Sequence, residues 1–386
     1  MTEILIVGAG YTGMGAAMGL AGRFKGRDDV HVTLVNPQTR FTERLRLHQT
    51  AAGQQLADLQ IPDRLAAAAV QFVQGWVTAI DADAHTVRID DDYALHYDTL
   101  VYALGSVADT ETVPGVDEFA YTLNSAHEAT LLADQLARLT DATVVVAGGG
   151  LTGIESAAEI AEQHPHLNVV LLSRQQPGLM MGEKARARLH SGLARLGVRV
   201  RAGADIVKVM SDGVALADGE VVPAQAVLWT TGVRVSPLAA GAGLQVDDRG
   251  RIVTDESLRS VSHPAVYAVG DAAAIRQSYG VMHGTCQSGI PTALHAAASI
   301  VRELNGKQPK KFRFGYVHQP VSLGRHDAVI QFTHADDSPG RFYLAGRLAV
   351  AYKETVSSSP WPTYRLIRSL PAVGSTTWRR GGRSKQ

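Results

Sequence analysis

The stretch EILIVGAGYTGMGAAMGLAG, residues 3–22, reads as a short apolar strand, a glycine turn and a helix of small residues. About 140 residues on, ATVVVAGGGLTGIESAAEIAEQ (142–163) repeats the plan. The turns are Gly8-Ala9-Gly10-Tyr11-Thr12-Gly13 and Gly148-Gly149-Gly150-Leu151-Thr152-Gly153. In such a turn the first glycine takes positive φ, the second lets a pyrophosphate approach the backbone, and the third allows close helix–strand contact. The helix start then offers free N–H groups and the positive end of its dipole to phosphate. A single GxGxxG is weak, but two in strand–turn–helix settings indicate a duplicated nucleotide-binding unit. The fold class expected is α/β, with two Rossmann-like dinucleotide-binding domains.

The next strands sharpen this reading. VHVTLVNP ends at Asn36, and NVVLLSRQ ends at Ser173 and Arg174. A nucleotide-binding strand normally ends there on Asp or Glu, which grips a ribose hydroxyl. A carboxylate would repel a 2′-phosphate, whereas Arg174 attracts one and the Ser173 hydroxyl adds a hydrogen bond. NADPH is therefore the favoured donor, with NADH the alternative and Arg174 a plain solvent-facing residue in that case. HYDTLVYALGS (96–106) and AQAVLWTTGV (224–233) are matching apolar strands that close the two units. Beyond residue 306, VSLGRHDAVIQFTHAD and RFYLAGRLAVAY alternate like strands of a small α+β domain.

Composition sets outer limits. With 386 residues, 45% hydrophobic, the chain can bury two or three cores. Its formal net charge of zero gives no reason to expect a nucleic-acid partner. The basic end WRRGGRSKQ (378–386) reads as a solvated terminus. The single cysteine, Cys286, forbids an internal disulfide, fits a cytoplasmic location and excludes reductases that need a redox cysteine pair. No apolar run approaches the roughly 18–20 residues that span a bilayer, so membrane contact would be peripheral at most. His318 and His326 lack companions at metal-ligand spacing, and no metal site is expected.

Across almost its whole length the chain resembles the two-dinucleotide flavoprotein reductases, with their glutathione-reductase-like arrangement of domains. YDTLVYALGS and AVLWTTGVRVSPL match the family's strand-end motifs beside the flavin, and VYAVGDAAAI its second flavin motif. GGGLTGIE, TTGVRVSPL and VSLGRHDAVIQF…AGRLAVAYKE look most like type II NADH dehydrogenases and apoptosis-inducing-factor-like quinone reductases. The resemblance implies FAD on the first unit, nicotinamide nucleotide on the second, and hydride transfer to flavin with reoxidation by a quinone or other small aromatic acceptor. It assigns residues 1–112 and 235–306 to the FAD domain, 113–234 to the NAD(P)H domain and 307–386 to the C-terminal domain with its basic tail. Ala103, Gly105, Thr231 and Gly232 would lie beside the flavin, Gly270 would permit close backbone approach, and Asp271 would bond the ribityl chain. Glu155 would sit near the nicotinamide–flavin contact, its bland alternative being a solvated acid complementing the helix dipole.

Within RFTERLRLHQTAAG (40–53), Arg44, Arg46 and His48 correspond to a loop that faces the flavin in relatives. They are candidates for stabilising anionic reduced flavin or an acidic substrate, or else are solvated helix residues. Asn36 stands where the FAD unit would carry an acid, and would bond the adenosine ribose neutrally. On the quinone side the family shows two glutamines; here Gln287 remains and Pro291 replaces the second. In SPWPTYRLIRSLP (359–371) the apolar residues Tyr364, Leu366, Ile367 and Leu370 make too short a set for firm membrane anchoring. A soluble acceptor is thus as open as a lipid quinone. Two rival functions follow from the same resemblance: electron transfer to a small iron–sulfur protein, or slow redox sensing like that of apoptosis-inducing factor. The oligomeric state is left open, with a homodimer among the options.

Overall fold

In the computed structural model, which describes residues 1–370, Thr2–Val7 lies at the centre of a five-stranded parallel sheet. Its neighbours run, edge to edge, Val266–Ala268, Thr99–Tyr102, the central strand, Val30–Asn36 and Gln71–Gln74. Ile4, Leu5, Ile6 and Val7 are all buried, as expected for a parallel strand covered on both faces. The helix Tyr11–Arg23 covers one face and packs against the helix Cys286–Leu304. Small residues permit the close approach: a Cβ on Gly19 would stand 3.2 Å from the Ala297 methyl.

A second parallel sheet runs Arg199–Ala202, Asn168–Ser173, Thr143–Ala147 and Ala226–Trp229. It repeats the strand–turn–helix order of the first, with Leu151–Gln163 as the helix after the glycines. Ser106–Ala108 and Val233–Val235 pair antiparallel where the chain passes between the two sheets. The two Rossmann-like sheets of the expected α/β fold are thus both present.

A three-stranded antiparallel sheet, His318–Ser322, Ala328–Thr333 and Pro339–Ala345, follows. One expectation is corrected here. RFYLAGRLAVAY is not a single strand: the strand stops at Ala345, Gly346 turns with φ +70°, and Arg347–Ser358 is helical. Alternation over four or five residues does not distinguish a strand from one face of a helix, and Leu348 is exposed while Ala349 is buried.

The helix Pro360–Ser369 then returns to the first nucleotide unit. Tyr364 is fully buried, donates a hydrogen bond to the Tyr11 carbonyl at 3.0 Å and meets Phe41 edge-on. Gly22 abuts the Arg368 carbonyl, where a Cβ would come within 2.4 Å. This helix therefore packs on the protein through Tyr364 and Ile367, leaving Leu366 and Leu370 about half exposed. Among the described residues no helix is long and apolar enough to cross a membrane. The basic tail expected at 378–386 and the side chain of Cys286 lie outside the described residues.

Candidate active site

The two glycine turns have the same construction. Gly8 has φ +94° and Gly148 φ +120°. A Cβ on Gly13 would fall 1.7 Å from the Gly8 carbonyl oxygen, and one on Gly153 would fall 1.9 Å from that of Gly148. The third glycine is thus obligatory in both turns. At Gly10 and Gly150, the residues preceding the helices, a Cβ would meet nothing within 4 Å, and neither helix start has a side-chain cap. Exposed N–H groups beside open backbone suit a pyrophosphate. The Ala103 carbonyl crosses over Gly8, 2.6 Å from an ideal Cβ, while Thr230 and the Thr231 amide take the equivalent place over Gly148.

Asn36 accepts a hydrogen bond from the Ala9 amide at 3.0 Å and donates to the Gln38 carbonyl at 2.8 Å. It clamps the first turn, and one N–H and one lone pair remain for a ribose. Thr12 is buried against Gly270 and Gly289, where added Cβ atoms would strike its methyl at 2.7 and 2.9 Å. Gly270 has φ +67°, and its amide is held by Thr292 Oγ1 at 3.0 Å. Asp271 accepts a hydrogen bond from Ser106 Oγ at 2.7 Å, and the Ser106 carbonyl in turn accepts one from Arg44 at 2.5 Å. Gly105 has φ +66° with open space at its Cβ, and Gly232 has φ +73° beside Asp109. Open backbone at the turn and a positioned acid at the far end fit the two ends of FAD. In the second unit, Ser173 lies under Gly149, 2.3 Å from an ideal Cβ. Arg174 is 74% exposed, 4.0 Å from Asp205.

Between the two units and the C-terminal sheet lies one cavity of about 910 Å³. Arg44, Ser106 and Asp271 line it, together with Leu151, Thr152 and Glu155 from the helix that follows the second glycine turn. Ile290, Leu294, Val356, Leu366 and Leu370 contribute apolar lining. His48, Gln287, His318 and Lys353 are also part of the wall.

Glu155 is buried, so the bland reading of a solvated helix acid does not hold. Its Oε1 accepts from Lys353 Nζ at 2.8 Å, from the Ser322 amide at 2.9 Å and from the Ser322 hydroxyl at 3.0 Å. Burial pushes the carboxyl pKa up, but Lys353, His48 and the Ser322 amide together outweigh it and hold the group below the ordinary range. Lys353 and Ser322 escaped the sequence reading. The signal available was a lysine inside the apolar run of AVAYKE, a charge that a helix buries only with a partner.

Two expectations need correction. Arg46 does not line the cavity: it pairs with Glu43 at 3.5 Å and Gln49 at 3.2 Å. His48 does line it, but burial drives its pKa down to about 4, so the ring is neutral at pH 7 and supplies no cation. Gln287 lines the cavity with both amide ends engaged, donating to the His318 carbonyl at 2.9 Å and accepting from the Val317 amide at 2.6 Å. It therefore ties the start of the Cys286–Leu304 helix to the C-terminal sheet. Arg46 and His48 are assigned by position in the chain, which reveals nothing of neighbours in space.

Comparison with known proteins gives the same picture. The chain is 32% identical over 354 residues to an NADH dehydrogenase-like protein of Mycobacterium tuberculosis, covering 85% of this chain and 87% of that one. A type II NADH:quinone oxidoreductase of Staphylococcus aureus is 28% identical over 388 residues, with 92% and 94% covered. In fold it is similar to the sulfide:quinone oxidoreductase of Aquifex aeolicus, with a TM-score of 0.81 at 17% identity over 97% and 94% of the two chains. Residues 2–299 match the model of the pyridine nucleotide-disulphide oxidoreductases. The chain belongs to that family, and it is an NAD(P)H-dependent flavin oxidoreductase.

Proposed function

We propose that the protein oxidises NADPH in preference to NADH through bound FAD and passes the electrons to a quinone or other small aromatic acceptor. One observation carries this reading: one cavity brings Arg44, Ser106 and Asp271 together with Glu155, Lys353 and the apolar side chains of Ile290, Leu294, Val356 and Leu366. An apolar recess with a few polar groups suits a flat aromatic molecule better than a protein partner. The naming of the S. aureus relative as an NADH:quinone oxidoreductase points the same way. In this reading residues 1–112 and 235–306 hold FAD through Gly8, Gly10, Gly13, Asn36, Gly270 and Asp271. Residues 113–234 hold the nicotinamide nucleotide through Gly148, Gly150 and Gly153.

FAD, when bound, would supply the hydride-accepting and electron-transferring chemistry. The chain's own part is positioning and proton supply. Arg44 fixes the Ser106 carbonyl while the Ser106 hydroxyl orients Asp271. Lys353, held by Glu155, presents an ammonium proton at the cavity wall, where an acceptor oxygen gains a proton on reduction. Arg174 takes the 2′-phosphate. For NADPH preference the support is the cation at a strand end that ordinarily carries an acid.

The test is anaerobic reduction by NADPH or NADH, followed by mixing with a panel of quinones, aromatic metabolites and ferredoxin. Rapid reoxidation by quinones or aromatics, with NADPH the better reductant, is expected. Reoxidation by ferredoxin alone, or a reduced form stable to the whole panel, would overturn the acceptor assignment.

A further inference from the structure

One helical turn beyond Glu155, on the same face of Leu151–Gln163, a second acid is completely buried. Glu159 Oε1 accepts a hydrogen bond from the Gln54 amide, and Glu159 Oε2 has no partner at all. The nearest cation, Arg325, is 3.9 Å away and is committed elsewhere: its Nη2 is 2.5 Å from Glu354 Oε1. Its backbone amide donates to Glu162 at 2.6 Å. A carboxylate enclosed this way, with only a long ion pair to an arginine shared with Glu354 and with one oxygen unpaired, is disfavoured; the neutral acid is not. We propose that Glu159 carries a proton near neutral pH and is the reservoir from which the Glu155–Lys353 pair is recharged at each acceptor reduction.

This rests on the quinone-type reading above, and the balance of that reaction calls for such a group. NAD(P)H, a proton and a quinone give NAD(P)+ and a quinol. Two electrons and one proton leave the donor as hydride, so one further proton must come from solvent. Lys353 gives its proton to the acceptor oxygen and becomes an amine. Glu159 gives up its own proton, which passes through the Glu155 carboxylate to Lys353 and restores the ammonium. The Glu159 carboxylate left behind is balanced by Arg325 until solvent returns a proton on the side of Arg325 and Glu354, whose side chains are 24% and 33% exposed. The groups that face Glu159 are Gln54, Glu155, Glu162 and Arg325, with His48 and Lys353 around Glu155. Burial pushes the Glu159 pKa up to about 7, with Arg325 opposing and Glu162 assisting.

Infrared spectroscopy of the holoenzyme reads the proton directly, whatever the acceptor. A protonated-carboxyl C=O band should disappear as pH rises through neutrality and be missing in Glu159→Gln. Glu162→Gln, which removes a like charge, should move that midpoint to lower pH. In Glu159→Gln, flavin reduction by NADPH should stay within about twofold, while quinone turnover falls on the order of tenfold or more and loses its inflection near neutral pH. A parent without a titrating carboxyl band would overturn the proposal, as would a Glu159→Gln enzyme with unchanged quinone turnover and pH profile. A parent that shows the band yet reduces no quinone would instead refute the acceptor reading and the recharging role with it, leaving Glu159 a buried neutral acid.

Discussion

Replacing Lys353 with Met removes the ammonium while keeping the stem, and it tests the pair at the centre of the site. Nζ is 2.8 Å from Glu155 Oε1, with side-chain exposures of 6% and 8%, so solvent cannot take over the lost charge. Breaking a buried pair from one side leaves the other charge uncompensated, at a cost of about 3–5 kcal/mol. The Ser322 amide and hydroxyl still donate to the same oxygen, which places the expected loss near the lower figure. Chemical denaturation followed by tryptophan fluorescence would measure it. The double variant Lys353→Met with Glu155→Leu should recover most of the loss, giving a coupling of about 2–3 kcal/mol.

The pH dependence adds a sign to check. In the parent, burial raises the Glu155 pKa but Lys353, with His48 and the Ser322 amide, lowers it further, so the folded value is depressed. The stability from Glu155 is therefore present above the ordinary carboxylate range and lost as pH falls through the lowered folded value. In Lys353→Met burial, His48 and the Ser322 bonds remain, the folded value rises, and the variant should gain on the parent as pH drops from 7 toward 5. If Lys353→Met stays within about 0.5 kcal/mol of the parent at pH 7 and the double variant is no different, the pair contributes nothing and the argument fails.

Further outcomes follow from other residues. Arg174→Ala should raise KM for NADPH about tenfold, the low end for a charge-assisted bond because the side chain is 74% exposed, and leave NADH and kcat nearly unchanged; steady-state kinetics with both donors decide it. Gly13→Ala places a Cβ 1.7 Å from the Gly8 carbonyl oxygen, so the purified variant should be largely colourless against a yellow parent that releases FAD on denaturation. Cys286→Ser should keep most activity, since hydride transfer needs no thiol and the chain has one cysteine. A thousandfold loss of turnover in the folded variant would place the thiol in the chemistry.

The glycine turns were legible in the chain because their constraint is local. A third glycine 1.7 or 1.9 Å from the first glycine's carbonyl is required wherever such a turn occurs. The apolar strands before them and the single cysteine were equally readable, and with them the duplicated α/β plan and the exclusion of dithiol chemistry. The wall of the cavity was not legible. Glu155 is 167 residues from Ser322, and its other partner, Lys353, lies on the helix Arg347–Ser358, which alternation had suggested was a strand. Arg44 and Arg46 are two residues apart in one short turn, yet Arg44 lines the cavity and Arg46 pairs with Glu43. His48 could have been a cation by its type, and burial makes it neutral. Backbone geometry is dictated by neighbours in sequence, whereas charge state and partnership depend on solvent exclusion, which arises only when distant segments pack together.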